Sequence, residues 1–271
     1  MRRYLSEKYV VGQGVEIGAL QNPLWTSERA TVRYVDRLSV ADLRVHYPEL
    51  KDFNLVNVDI IDDGESLTSI GDGQLDFIIA NHMLEHTENP LGTIRNHLRK
   101  IRPGGILYYA VPDKRFTFDI DRPITSFRHL VWDDRKGPHL SRLEHFYDWG
   151  RLVNKVTDPD ELEAHVKWLM EINYSIHFHV WDFKTFSRFI KQAKNYLDYF
   201  FEIKHLEQYG SEVIVILEKR SKRQKVRLLS GFWVLASRIS GTKQRLIPGG
   251  IDGRQPRADL GTVPARHRVK T

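Results

Sequence analysis

At 271 residues, 41% of them hydrophobic and 28% charged, the chain is long enough to bury one full core with appendages. It contains no cysteine, which excludes disulfides and cysteine-ligated zinc and fits a reducing compartment. The net charge of +6 is unevenly placed: 14 of the 41 Lys and Arg but only 2 of the 35 Asp and Glu lie from Lys219 onward, leaving 27 against 33 in residues 1–218, so the main body gives no reason to expect nucleic acid.

The opening stretch, MRRYLSEKYVVGQG, has no apolar run of signal-peptide length, and no run of about 18 apolar residues occurs anywhere. The expected location is therefore cytoplasmic. Residues 1–13 read as a lead-in of helical character. Val15–Ile17 reads as a short buried strand that carries Glu16 and turns at Gly18, where a side chain would fill the space a ligand needs. A second strand, Thr31–Val35, is closed by Asp36. A helix follows over Ser39–Tyr47, with Ser39 as its N-cap and Pro48 as its stop. Leu55–Val58 reads as a third strand closed by Asp59. The polar residues 62–65 form a loop, and Leu75–Ala80 is a fourth strand closed by Asn81. Leu91, Ile94, Leu98 and Ile101 are spaced for a helix over Pro90–Ile101, stopped by Pro103-Gly104-Gly105. Ile106–Val111 is a fifth strand, followed by Asp113. Residues 114–180, rich in aromatics and His, read as a mostly helical insertion over the ligand end of the sheet. Asp182–Lys194 is an amphipathic helix with Phe183, Phe186, Phe189 and Ile190 on one face. Phe200–Leu206 and Glu212–Leu217 form a closing antiparallel pair around Gly210.

Strands alternating with helices predict an α/β fold: a doubly wound, mostly parallel seven-stranded sheet with an antiparallel closing strand and a helical insertion after the fifth strand. Ligands of such sheets bind beyond the carboxyl ends of the strands, where Glu16, Asp36, Asp59 and Asn81 fall. The domain is expected to span residues 1–218, with a basic tail over 219–271. An amphipathic helix at 226–239 in that tail is set either to lie on a membrane surface or to dock on protein.

The chain resembles the class I S-adenosylmethionine-dependent methyltransferases over about residues 10–218. Val15-Glu16-Ile17-Gly18 looks like their first motif, and Leu75 to His86 resembles the fourth-strand motif. Leu98 to Leu107, containing Arg102-Pro103-Gly104-Gly105, is similar to the helix-to-fifth-strand motif. One departure stands out: Leu20 occupies the place of the family's second glycine. The resemblance implies S-adenosyl-L-methionine as cofactor, with Glu16, Gly18, Asp36, Asp59, Asn81 and His82 at its site. Asp36 would meet the ribose hydroxyls and Asp59 the adenine. A dehydrogenase would want Gly-x-Gly-x-x-Gly, which Gly18 to Gln21 do not supply.

Methyl transfer to a hydroxyl benefits from a base, and His86 and Asp113 are the expected candidates, with His82 beside them at the strand ends and His177 and His179 as lid candidates. His82-Met83-Leu84-Glu85-His86 also spells an inverted zinc-peptidase motif, and His177 and His179 have metal-ligand spacing. Neither comes with an evident further ligand, and no metal is expected. The aromatics and histidines of the insertion (His129, His139, His145, Trp132, Trp149) suit a cleft for a hydroxylated acceptor such as a sugar or glycolipid, or the packing of a lid. The expectation is O-methylation of such an acceptor. Its partners would be a small molecule or glycan, with peripheral membrane contact through the tail and no nucleic acid. The alternative is a non-catalytic module that binds the same cofactor.

Overall fold

The apolar runs become one sheet in the computed structural model, which describes residues 1–221. In chain order the elements are α1 (Arg2–Tyr9), β1 (Gly12–Ile17), β2 (Ala30–Asp36), α2 (Val40–His46), β3 (Ile60–Ile61), β4 (Leu75–Asn81), α3 (Pro90–Lys100) and β5 (Ile101–Pro112). The insertion supplies α4 (Phe127–Lys136), α5 (Arg142–Leu152) and α6 (Pro159–Glu171). The chain then forms α7 (Phe183–Tyr196), β6 (Phe201–Tyr209) and β7 (Glu212–Lys219). The sheet order is β3-β2-β1-β4-β5-β7-β6. The first five strands are mutually parallel, and β7 runs antiparallel to both its neighbours. The expected doubly wound sheet with a reversed closing strand is therefore present. The helix expected at 226–239, and the tail around it, lie outside the described residues. Among the described residues no helix is long and apolar enough to cross a membrane.

Alternation along the central strands builds a core on both faces of the sheet. Ile78, Ala80, Leu107 and Tyr109 pack with Leu91, Ile94 and Leu98 of α3 and with Phe186, Phe189 and Ile190 of α7. Phe77, Ile79, Tyr108 and Ile214 pack on the other face with Leu5 of α1 and Leu24. The α7 face is the one its spacing predicts, and Asp182 closes a reciprocal capping box with Thr185. Ser39 caps α2 by accepting from the Asp42 amide.

Two expectations change. The third strand is Ile60–Ile61, not Leu55–Val58. Leu55 packs instead with Leu43 and Leu50, and the Val56 amide is taken by the Leu20 carbonyl at 2.9 Å. The fifth strand starts earlier than expected. Ile101 already pairs with Leu75, and residues 102–105 bulge out before pairing resumes at Ile106 opposite Phe77. Gly104, at φ +87°, and Gly105, where a Cβ would lie 2.9 Å from two backbone oxygens, make that bulge possible.

One buried histidine fixes the loop after β3. His97 on α3 bridges the Gly64 carbonyl and the Tyr109 hydroxyl, both at 2.7 Å. Its Nε2–H donates to Gly64 and its Nδ1 accepts from Tyr109, so the ring is neutral. Burial pushes its pKa down to about 4. An unfolded chain takes up this proton near pH 6.5, the folded one only near 4. The stability held by neutral His97 is therefore complete above about pH 6.5 and is lost as pH falls toward 4. Urea unfolding is expected to lose on the order of 3 kcal/mol over that window through this residue. His97→Gln should flatten the dependence; an unchanged slope in that variant would remove the assignment.

Candidate active site

The carboxyl ends of β1, β2 and β4 open on a cavity of about 770 Å³, inside the roughly 300–1,000 Å³ typical of small-molecule sites. Gly18 and Asp36 border it on one side, Asp63 and Gly64 close a second, and His82 and Met83 leave β4 into it. The insertion supplies the far wall with Phe118, Trp149, Asn173, Tyr174 and His177.

The turn after β1 is held from four directions. The Gly18 amide donates to the Val35 carbonyl at 2.9 Å and the Asn22 amide to Ala19 at 2.9 Å. The Leu20 carbonyl accepts from Val56, and both Glu16 carboxylate oxygens accept from the Leu24 amide at 2.9 and 3.0 Å. Gly18 sits at φ +63°, and a Cβ added there would meet no protein atom within 4 Å. The empty volume belongs to the cavity, so glycine keeps the backbone open to a ligand. Leu20 takes the left-handed conformation, at φ +49°, that a second glycine would take freely. Its side chain packs with Leu43, Leu50 and Leu55, which compensates the strain. The turn is therefore not closed by the missing glycine.

Below it, Glu16 is 1% exposed, and burial lifts its pKa to about 7 against the hydrogen bonds from Leu24 and Asn81. The Asn81 Nδ2 lies 3.5 Å from Glu16, and the buried Asn81 Oδ1 has no hydrogen-bond partner. Asp36 is half-buried. Desolvation raises its pKa, opposed by the backbone amides of Leu38 and Arg37.

A family model described as a methyltransferase domain matches residues 14–193. The chain belongs to that methyltransferase family. Solved structures to which the chain is similar include a SAM-dependent methyltransferase from Aquifex aeolicus (10% identity, 79% of this chain and 84% of that one, TM-score 0.41). One from Methanosarcina mazei (16%, 79% and 96%, 0.41) is also similar, as is a chain from Rhodobacter sphaeroides described as a Zn-dependent alcohol dehydrogenase (13%, 80% and 87%, 0.47). No curated protein sequence matches the chain.

The enzyme is thus a class I S-adenosylmethionine-dependent methyltransferase. The residues present fit that cofactor. The open volume over Gly18 and the carboxylate at the end of β2 lie in one cavity, with an unpartnered Asn81 oxygen in the strand end beside them.

Three of the six residues expected at the cofactor, Gly18, Asp36 and His82, border the cavity. Glu16 and Asn81 hold the turn from behind. Asp59 is a correction: it precedes β3 instead of closing a strand, and its carboxylate accepts from the Tyr34 amide at 2.8 Å. Two acidic residues that come soon after β3, Asp63 and Glu65, border the cavity. His82 leaves β4 at φ +50°, and its Nε2 lies 3.0 Å from Glu212, which Arg2 of α1 also grips. Burial pulls the His82 pKa down, but the Glu212 hydrogen bond and the charges of Glu85 and Glu212 outweigh it and leave it raised. Residues 84–86 make one short 3-10 turn, so the H-x-x-E-H spelling is not displayed on a helix.

Asp113 is the second correction. It is fully buried, and its carboxylate accepts from Arg115 Nε at 2.9 Å, from the Arg115 amide at 3.1 Å and from the Phe183 amide at 2.9 Å. Burial opposes ionisation there, but the Arg115 and Phe183 hydrogen bonds prevail and its pKa is lowered. It is an anchor between β5 and α7, and it does not border the cavity.

His86 does border it. Its Nδ1 lies 2.9 Å from the Ile176 carbonyl, so that nitrogen carries the proton. Burial, then the nearby His177, pushes its pKa down to about 3, which makes it a weak proton acceptor. Its ring stands edge-on to His177 at 4.5 Å. His177 Nδ1 lies 2.6 Å from Asp119, whose other oxygen accepts from Arg122 at 2.9 Å. Burial raises the Asp119 pKa, but the His177 and Arg122 bonds outweigh it and hold it low. Asp119 carried no signal in the sequence: it lies in a short turn, 58 residues from the histidine it orients.

Proposed function

We propose that this methyltransferase methylates a hydroxyl group of a polyhydroxylated acceptor, a sugar or glycolipid, using the His177–Asp119 pair as base. The observation that carries the reading is that pair, whose His177 borders the same cavity as Gly18 and Asp36 while Asp119 stands buried behind it. Bound S-adenosylmethionine supplies a methyl group already activated on a sulfonium. The protein's part is alignment and proton removal. Asp119 accepts the Nδ1 proton of His177, fixes the tautomer, and leaves Nε2 with its lone pair. A positive charge arising on His177 would be balanced by Asp119, as carboxylate–histidine pairs do elsewhere. Asp36 would hold the ribose hydroxyls, and Asp63 with Gly64 would border the nucleoside end.

The acceptor end supports the substrate class. Phe118 and Trp149 meet edge to face at 5.4 Å, and Asn154, Asn173 and Ser175 stand among the same lining residues. Apolar rings interleaved with neutral hydrogen-bonding groups suit a ligand with C–H faces and many hydroxyls. A basic tail of 14 Lys and Arg fits a membrane-borne acceptor carrying acidic headgroups.

Transfer of isotopic methyl from S-adenosylmethionine is expected to free and lipid-linked saccharides. The label should resist mild base, as an ether does and an ester does not. Label appearing only on amines, carboxylates or carbon would sink the reading.

A further inference from the structure

We propose that His129, Asp133, His145 and His179 form a four-coordinate site for a divalent transition metal, best suited to zinc. It would tie α4 and α5 to the segment that carries His177. One ligand atom from each of the four residues lies within 4.8 Å of all the others. None of the four borders the cavity already described. The proposal is therefore independent of the acceptor assignment.

Hydrogen bonding alone does not account for this cluster. His129 Nε2 lies 3.0 Å from His145 Nε2 and 3.0 Å from Asp133 Oδ2. One imidazole nitrogen carries at most one proton and cannot serve both. Asp133 Oδ2 is left without a hydrogen bond, and so is the buried Nδ1 of His179. Asp133 is fully buried and His179 is 1% exposed, so neither atom has water to turn to. An orphaned carboxylate oxygen and an orphaned imidazole nitrogen on residues clustered with two close histidine nitrogens is an unfavourable arrangement for bare protein. A cation at their centre answers all four at once. Bonds of about 2.0–2.1 Å in a tetrahedron place ligand atoms about 3.3 Å apart, close to the two 3.0 Å separations seen.

The outer contacts are those a metal site requires. His179 turns its Nε2 toward the Glu88 carbonyl at 3.3 Å, leaving Nδ1 for the metal. Ser141 donates to Asp133 Oδ1 at 2.7 Å, leaving Oδ2. His129 and Asp133 are four apart on α4 and share one face. Three imidazoles and one carboxylate select zinc over magnesium or calcium, and four protein ligands close the site to water, which marks a structural role. The expectation of no metal rested on spacing. The ligands span 50 residues and three segments, so no short motif announces them.

Metal content of the full-length protein is measured directly, with Co²⁺ as a spectroscopic probe after chelator stripping. The expected result is about one zinc per chain, the strong visible absorption of tetrahedral Co²⁺, and a lower melting temperature once stripped. The double variant His129→Gln/His145→Gln should weaken zinc binding on the order of 10²-fold or more, while binding S-adenosylhomocysteine as wild type does. Wild-type protein with no stoichiometric metal, no tetrahedral Co²⁺ spectrum and no melting shift overturns the proposal, whatever the variant does. Stoichiometric metal that survives in the folded double variant overturns it equally, because the ion would then sit elsewhere.

Discussion

Replacing Asp36 with alanine is expected to abolish useful cofactor affinity while the protein stays folded. A carboxylate accepting from two ribose hydroxyls makes two charge-assisted hydrogen bonds. Their loss weakens binding by roughly 10²-fold or more. Little in the fold depends on this side chain: it accepts a 3.3 Å contact from the Leu38 amide, and removing the carboxylate also removes a desolvation penalty. Calorimetry with S-adenosylhomocysteine, beside a thermal melt, separates the two effects. Gly18→Ala is the natural companion. Its Cβ would enter space free of protein atoms, so the steric cost should appear in ligand affinity, with only about 1–2 kcal/mol of backbone strain in stability. Unaltered affinity in both variants would move the cofactor away from the β1–β2 edge.

The second large effect is expected at the His177–Asp119 pair. His177→Gln should lower kcat by about 10²–10⁴-fold, the usual contribution of a general base, with S-adenosylhomocysteine affinity kept. Asp119→Asn should lower kcat comparably by releasing the wrong tautomer. Asp119 also pairs with the buried Arg122, so that variant carries a stability cost of about 3–5 kcal/mol, and a melt must accompany the kinetics. Asp113→Asn provides the contrast: a loss of stability at the β5–α7 junction with the pH profile unchanged. A His177→Gln enzyme retaining the wild-type kcat would return the base to His86 or leave the reaction without one.

The sheet was legible because its physics is local. Apolar runs of strand length ended in Glu16, Asp36 and Asn81, and α3 and α7 showed their buried faces in their spacing. Leu55–Val58 misled because a short, mostly apolar run is equally good packing material; only the Leu20 carbonyl claiming Val56 reveals that it is not paired in the sheet. Asp59 was then displaced with it. Asp113 looked like another strand-end acid, and nothing in its neighbourhood announces that Phe183, 70 residues on, will saturate it. The same holds for Asp119 with His177 and for His179 with α4 and α5. These are pairings between the two ends of the insertion, and their register is set by packing in the Phe146, Trp149 and Phe178 cluster. Chemistry written across elements is invisible to spacing along the chain.

The return segment of the insertion is fastened to the exit of β4. The Glu85 carbonyl accepts from the amides of both Phe178 and His179, at 2.8 and 3.1 Å, and Arg122 grips the His177 carbonyl at 2.7 Å. A wall secured in this way cannot swing like a flap without breaking buried hydrogen bonds. Choice among acceptors then falls to the outline of a standing aperture, which turns a bulky molecule away at the rim before any contact with the methyl donor. Selectivity of this kind would be retuned by reshaping the rim at Asn154 or Tyr174, with the hinge-loosening changes that alter flexible enzymes expected to achieve little.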